Sequence, residues 1–405
     1  MLRFISGKFK PENQLFNVWD HTLPEIYGII LAMFVKLDLV RCLNITEGEL
    51  LDFIIDVDRG YLATYYHSFF HAADVTAVLY HILLDMNASQ YLSKPDMAAL
   101  LLAGLCHDIG HPGLNNLFQV NAKTELVQQH GETSVLEKYS CSLAMDLIDK
   151  HKLFRNIASS PAGILPEGNH ATEQSMKESM IKAIMATDMS FHYDMLNNLN
   201  SLIDYRSASE LTPELRQNLS NCLLHAADIS NAVKPWALCK RWSDLVVQEF
   251  FRQGDIEKTQ QLPISPNMDR NQHNQPQISL GFGDFVVQPY FESFVEFLPE
   301  ASPFLVALAS NREQWVLMQK AAVEAEKERA SVAAESGSAT NGETNTHVDV
   351  DTSIADPTAE PKDLQRVNSP LPAHLTSGRR VSGKPMFPAA PFAQSICALL
   401  QKNIN

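Results

Sequence analysis

The residues best suited to chemistry fall in four short segments: Tyr66-His67-Ser68-Phe69-Phe70-His71, His107-Asp108-Ile109-Gly110-His111-Pro112-Gly113, Ala186-Thr187-Asp188 and His225-Ala226-Ala227-Asp228. They offer imidazoles and carboxylates, with no cysteine pattern around them. That donor set suits borderline and hard divalent cations such as zinc, magnesium or manganese, and does not suggest a thiolate site. On a helix, His67 and His71 are four apart and share a face. Asp108 beside His107 puts a carboxylate and an imidazole within reach of one centre. Metal chemistry is the reading these segments favour.

A lone His-x3-His pair or His-Asp dipeptide is more often an accident of packing, so the elements that position them matter. The run Ala98 to Cys106 is apolar and a good helix former, and it should be buried. It delivers His107 and Asp108 at its end, where Gly110, Pro112 and Gly113 break the helix. Likewise Leu223 and Leu224 lead into His225 and Asp228. Buried charge is costly unless paired or metal-bound. Polar groups that end apolar helices therefore point to a shared centre more than to separate, individually satisfied residues.

Around these segments the chain reads as helix after helix, from about Leu15 to Lys327. Apolar residues recur at three and four spacing in Ile26 to Phe34, Ser134 to Leu147, Met180 to Met195 and Trp242 to Phe251. Strand-like alternation is scarce. The fold class expected is all-α: one compact multi-helix domain over residues 1–328, with loops at Ser159 to His170 and Pro263 to Gln277. From Arg329 to Pro372 the composition shifts to Ser, Thr, Ala, Pro, Asn and acidic residues. Such a stretch cannot bury enough apolar surface to offset chain entropy, so 329–405 is expected to be a largely disordered tail. A short terminal helix could form between Phe387 and Leu400, around Phe392, Ile396, Leu399 and Leu400.

Composition narrows the function classes. With 405 residues, 45% of them apolar, the chain can bury a large core. A net charge of -15 argues against nucleic acid as a partner, because phosphate backbones call for a basic face. It also poses a difficulty for an anionic substrate, which bound divalent metals would resolve. The six cysteines are scattered without paired spacing, so reduced thiols and a cytoplasmic location are expected. Met1-Leu2-Arg3-Phe4 does not open a signal-peptide stretch, and no run reaches membrane-spanning length.

The stretch His107-Asp108-Ile109-Gly110-His111-Pro112-Gly113-Leu114-Asn115-Asn116-Leu117-Phe118 resembles the signature of the class I 3′,5′-cyclic nucleotide phosphodiesterases of eukaryotes, which are HD-type metal phosphohydrolases. The resemblance runs from about Asn17 to about Trp315. It takes in Tyr66-His67, His71-Ala72-Ala73-Asp74-Val75, Ala186-Thr187-Asp188-Met189, His225 to Asn231 and Glu249 to Asp255. It implies that His71, His107, Asp108 and Asp228 hold the tighter of two divalent metals, usually zinc. Asp108 would also reach the second, usually magnesium or manganese. His111, Glu137 and Thr187 match positions that hold water around that second ion. His67 matches the general acid that protonates the ribose 3′ oxygen as a water trapped between the metals opens the cyclic phosphate. Tyr66 and Asn231 would line the pocket, with the purine in a slot between Phe282 and the apolar Val246 and Phe250. Without the resemblance, Phe250 and Phe282 read as core aromatics, and Glu137 and Thr187 as helix braces.

Two departures stand out. Most members carry a glutamine where this chain has Ser279, in Gln277-Ile278-Ser279-Leu280-Gly281-Phe282. A hydroxyl makes one bond to a purine edge where the amide makes two. Gln277 is two residues early, which on a helix points it about 200° away, although in a loop it could swing in. Tyr139 and Ser140 stand where the family usually has histidines. In the tail, Arg379-Arg380-Val381-Ser382 has the spacing of a cyclic-AMP-dependent protein kinase site, with Ser382 as the acceptor. That would let cyclic AMP signalling act on its own breakdown, and it favours cyclic AMP over cyclic GMP. Two other functions compete: a nucleotide-binding pseudoenzyme or scaffold, and a phosphohydrolase acting on another phosphoester. The intact His67, His71, His107, Asp108 and Asp228 speak for catalysis, since binding alone does not require the whole set.

Overall fold

A computed structural model of the chain describes residues 16–160, 171–208 and 210–337. Fifteen α-helices occupy them, and no strand is found among the described residues. In order they are α1 (Leu23–Lys36), α2 (Leu39–Leu43), α3 (Glu47–Gly60), α4 (Phe69–Leu84), α5 (Lys94–Cys106), α6 (Asn116–Ala122), α7 (Glu125–His130), α8 (Val135–His151), α9 (Glu173–Met185), α10 (His192–Ile203), α11 (Pro213–Asp228), α12 (Trp236–Thr259), α13 (Gln275–Phe282), α14 (Gln288–Phe297) and α15 (Ser302–Gly337). Short 3₁₀ turns at Met189–Phe191 and Ile229–Val233 and a π turn at Gly283–Val287 join some of them.

Helix starts follow local chemistry. Ser93 caps α5 by accepting from the Asp96 amide at 3.3 Å, while the Asp96 carboxylate accepts from the Ser93 amide at 2.9 Å. Thr46 and Glu49 do the same for α3. Pro95 and Pro213 sit in first turns, where a missing N–H costs nothing. Beyond its cap, α5 is buried on all sides from Met97 to Cys106, as a helix apolar all round must be. It packs against α4, α9 and α11, and α11 also packs against α4. The helices that carry His71, lead into His107 and carry Asp228 are therefore mutual neighbours in the core.

The helical reading of the sequence holds, with four local differences. First, α4 begins at Phe69 with Ser68 as its N-cap, so His67 precedes the helix instead of sharing its face with His71. Second, the run Met180 to Met195 is two helices. The Thr187 hydroxyl bonds the Ile184 carbonyl at 2.8 Å and Asp188 accepts from the Ser190 amide at 2.8 Å, and both bonds turn the chain out of α9. Third, Gln275 to Gln277 begin α13 and are not loop. Fourth, α15 runs through the expected boundary at 328/329 to Gly337, because Ala, Glu, Lys and Arg predominate there and no glycine or proline intervenes. Contacts divide the chain into a unit of Met1–Ala321 and a unit of Ala322–Asn405. Ser382, the Phe387 to Leu400 segment and residues 161–170 lie outside the described residues.

Cys42, Cys106, Cys141, Cys222 and Cys239 are free and buried, and no helix among the described residues is long and apolar enough to cross a membrane.

One buried pair in this core titrates. His192 Nδ1 lies 2.9 Å from His225 Nε2, so one ring donates to the other and both are neutral. Burial pulls His192 down to about 4, and burial together with the His192 ring pulls His225 down to about 3. The unfolded chain takes up these protons near the ordinary histidine value of about 6.5, while the fold refuses them until the lower values are reached. The pair's stabilisation is thus complete above about 6.5 and is lost as pH falls toward about 4. Replacing His192 by glutamine, which keeps a donor and an acceptor but does not titrate, is expected to lower the pH slope of unfolding free energy in that window by up to about 1.4 kcal/mol per pH unit. Urea titrations at half-unit pH steps would show it, and an unchanged slope would refute it.

Candidate active site

His71 from the first turns of α4, His107 and Asp108 just past α5, and Asp228 at the end of α11 meet at one point. Their nearest ligand atoms all lie within 4.8 Å of one another. His71 Nε2 is 2.9 Å from Asp228 Oδ1 and 3.7 Å from Asp108 Oδ2, while His107 Nε2 is 3.1 Å from Asp108 Oδ2 and 3.4 Å from Asp228 Oδ1. Both imidazoles are fully buried, and both carboxylates are mostly so. His107 Nδ1 lies 2.9 Å from the Gly104 carbonyl, which can only accept, so Nδ1 carries a proton and Nε2 is the nitrogen turned toward the cluster. His107 Nε2 lies 3.3 Å from His71 Nε2.

Two imidazole nitrogens and two carboxylate oxygens converging in this way repel unless a proton or a cation lies among them. Burial disfavours charge here, yet Asp108 and Asp228 lift His107 well above the ordinary histidine range. His107 and its neighbours hold both carboxyls well below theirs. The chemistry of the donor set fits a tetrahedral N₂O₂ cation site.

His67 sits beside this cluster in a network of its own. The Glu249 carboxylate on α12 accepts from the Tyr66 amide at 2.8 Å and the His67 amide at 3.3 Å, and its other oxygen bonds His67 Nδ1. Burial pulls His67 down, but the charges of Glu249 and Asp108 outweigh it and raise His67 to about 9. Glu249 in turn lies at about 2. The His67 ring stacks on His111 at 3.8 Å between centroids. His111 Nδ1 accepts from the Gly113 amide at 3.0 Å, and burial and the charge on His67 push His111 down to about 3. The pair is thus one charged and one neutral imidazole at pH 7.

The remaining expected site residues fall into two groups. Glu137, in the first turn of α8, accepts from Asn116 Nδ2 at 3.0 and 3.2 Å. Burial, and then the nearby charge of Asp188, raise it to about 7. Thr187 is buried beside Asp188, which Ser134 bonds at 2.7 Å. The second group forms a stripe on α12 and α13. Ser243, Val246 and Phe250 share a face of α12, and Ser243 Oγ lies 2.8 Å from Ser279 Oγ on α13, one turn before Phe282. Asn231 Nδ2 donates to the Tyr66 hydroxyl, and the Tyr66 ring lies 4.5 Å from that of His71. All the site residues expected from sequence except Ser382 are therefore described, and the ligand set, His67 and Tyr66 lie together.

A family model described as 3′,5′-cyclic nucleotide phosphodiesterase matches residues 66–308. The chain belongs to this family. It is 35% identical over 301 residues to the 3′,5′-cyclic-nucleotide phosphodiesterase regA of Dictyostelium discoideum, covering 74% of this chain and 37% of that protein. It is 31% identical over 287 residues to the high affinity cGMP-specific 3′,5′-cyclic phosphodiesterase 9A of Mus musculus, covering 70% of this chain and 51% of that protein. The chain thus spans about half or less of these relatives' length. The solved structure of LmjPDEB1 in complex with IBMX is 26% identical with a TM-score of 0.69, covering 78% of this chain and 95% of that one.

The departures from the usual phosphodiesterase pattern have structural counterparts. Gln277 does not turn toward Ser279: its side chain closes a capping box with Asn274, whose amide it accepts at 3.2 Å. Gln275, one turn before Ser279, donates to Ser243 Oγ at 3.0 Å and to Asp244 Oδ1 at 2.7 Å. Ser140 donates to the Ile109 carbonyl at 3.0 Å, and the Tyr139 ring packs beside Gly110, whose φ of 79° a side chain would strain. Glu249 is the functional residue that the sequence reading left without a role. Its signal was there: a carboxylate on the buried stripe of α12, between Trp242 and Gln253.

Proposed function

We propose that this phosphodiesterase hydrolyses a 3′,5′-cyclic purine nucleotide to the 5′-monophosphate, with two divalent metals at the buried cluster. The observation that carries this is the convergence of His71, His107, Asp108 and Asp228 beside a charged His67 that Glu249 holds by one ring nitrogen. When bound, such metals supply Lewis acidity at the phosphoryl oxygens and a water acidified enough to attack near neutral pH. Zinc suits the N₂O₂ cluster. Magnesium or manganese suits a second position near Asp108, where Glu137 and Thr187 would hold water and His111 would accept or donate at Nε2.

The protein's own part is proton supply and orientation. His67 donates from Nε2 to the departing ribose 3′ oxygen while Glu249 retains the Nδ1 proton and steadies the imidazolium. Tyr66 and Asn231, bonded to each other, border the reaction centre. Val246, Phe250 and Phe282 offer the apolar faces between which a flat base stacks. With Gln277 occupied in capping α13 and Gln275 bonded to Ser243 and Asp244, position 279 offers the base edge only a hydroxyl that is itself paired with Ser243, so selectivity between cyclic AMP and cyclic GMP is shallow. We favour cyclic AMP, on the kinase-like site ending in Ser382, and a cytoplasmic location, on the five free buried thiols.

Initial rates on both nucleotides with added magnesium or manganese test this reading, with the 5′-monophosphate as the expected product. Metal-loaded protein that binds but never turns over either nucleotide would establish the pseudoenzyme instead. Ser279→Gln is expected to lower KM for the better substrate about tenfold by restoring a second hydrogen bond. An unchanged KM for both nucleotides would discard the weakened-contact explanation.

A further inference from the structure

The turn that presents His107 and Asp108 is built around a phenol that the catalytic scheme does not use. At the end of a helix the last carbonyls lose their partners, and α5 ends in the buried core, where water cannot replace them. Each is met in an unusual way. The Gly104 carbonyl takes the His107 Nδ1 proton at 2.9 Å, and the Cys106 carbonyl takes the Ile109 amide at 3.1 Å. The Leu105 carbonyl takes the hydroxyl of Tyr61, at 3.0 Å, from 44 residues earlier. The Asp108 amide, which a continuing helix would send to Gly104, donates to that same Tyr61 oxygen at 3.3 Å. Tyr61 thus stands inside the helical ladder between residues 105 and 108, where an inserted side chain breaks and redirects a helix.

A second contact presses the same turn. Tyr61 caps the C-terminus of α3, and Gly60 beside it has no room for a side chain: a Cβ there would lie 2.5 Å from Ile109 Cδ1. The Tyr61 ring is buried edge-on against Phe69, the first residue of α4, with centroids 6.0 Å apart. The end of α3 therefore touches both the turn after α5 and the start of the helix that carries His71.

We propose that Tyr61 is a positioning residue for the metal centre. By satisfying the Leu105 carbonyl and the Asp108 amide with one hydroxyl, it fixes the helix break at the angle that aims His107 Nε2 and Asp108 Oδ2 at the same point. The proposal rests on the metal-centre reading above. A residue that orients ligands in this way typically changes metal affinity about tenfold to a hundredfold when removed.

The test is Tyr61→Phe, which keeps the ring against Phe69 and deletes only the hydroxyl. Tyr27→Phe serves as its control: it deletes the Tyr27 hydroxyl's bond to Asp58 on the same helix α3, while its ring also packs on Phe69, with centroids 5.7 Å apart. Zinc affinity of the metal-stripped proteins is read by competition with a chromogenic chelator, and thermal midpoints are read in parallel. The expected result is a zinc affinity about tenfold or more weaker for Tyr61→Phe, unchanged for Tyr27→Phe, with a lower midpoint for both. Turnover of Tyr61→Phe should recover as metal is raised to saturation. Equal zinc affinity in Tyr61→Phe and the unaltered protein, or an equal loss in both variants, overturns the positioning role. An unaltered protein that takes up no zinc overturns the metal-centre reading itself and is distinguished from the first two outcomes in the same titration.

Discussion

His67→Ala is expected to lower turnover by about a hundredfold or more while leaving metal content unchanged. The alkoxide that departs when the cyclic phosphate opens needs a proton, and His67 is the one imidazole in the site both protonated at neutral pH and outside the ligand cluster. Its charge depends on Glu249. Burial alone would push His67 below its ordinary value, and the Glu249 carboxylate reverses that, to about 9. A general acid works only while protonated, so the alkaline limb of the kcat/KM profile should follow His67. In Glu249→Gln that carboxylate is gone, burial is no longer opposed as strongly, and the limb should move toward lower pH. The variant should lose activity progressively above neutrality and regain part of it in acid. Metal analysis and pH profiles of the two variants check this together. If metal content collapses in His67→Ala, His67 is a ligand and the assignment fails; if the limb of Glu249→Gln does not move, another group supplies the proton.

Asp228→Ala is the second large effect. Asp228 Oδ1 lies close to both imidazoles, at 2.9 Å from His71 and 3.4 Å from His107. Without it the cluster keeps two nitrogens and the Asp108 carboxylate, one ligand and one negative charge fewer, which weakens its hold on zinc. The expected outcome is loss of the tight metal and a fall in turnover of at least about a thousandfold, since Lewis-acid stabilisation is worth several kcal/mol. Zinc stoichiometry by mass spectrometry and initial rates measure both. A variant that keeps its zinc and its rate removes Asp228 from the centre.

The parts of this site legible in the sequence are those that local pattern determines. An unbroken apolar run must be a buried helix, so the ends of α5 and α11 could be read as delivering His107, Asp108 and Asp228 into the core. What escaped was set by distant groups. The spacing of His67 and His71 suggests one turn of a common helix, but Glu249, 183 residues beyond Tyr66, grips the Tyr66 and His67 amides and keeps them out of the helix that starts at Phe69. The break at Thr187 came from a hydroxyl returning to a carbonyl three residues back, which periodicity does not register. Gln277 reads in sequence as free to stand in for Ser279, but it closes the capping box of a helix that begins at Gln275. Helix continues past 328 to Gly337 in α15 because alanine, glutamate and lysine favour helix by intrinsic propensity, which a search for apolar periodicity does not register.

Anomalous X-ray scattering at the zinc edge, from crystals grown with zinc and magnesium and without chelator, addresses the central claim most directly. The expected result is a peak about 2.0–2.2 Å from His71 Nε2, His107 Nε2, Asp108 and Asp228. Protein that turns over cyclic nucleotide under those conditions while its crystals show no ion among these four residues would contradict the account.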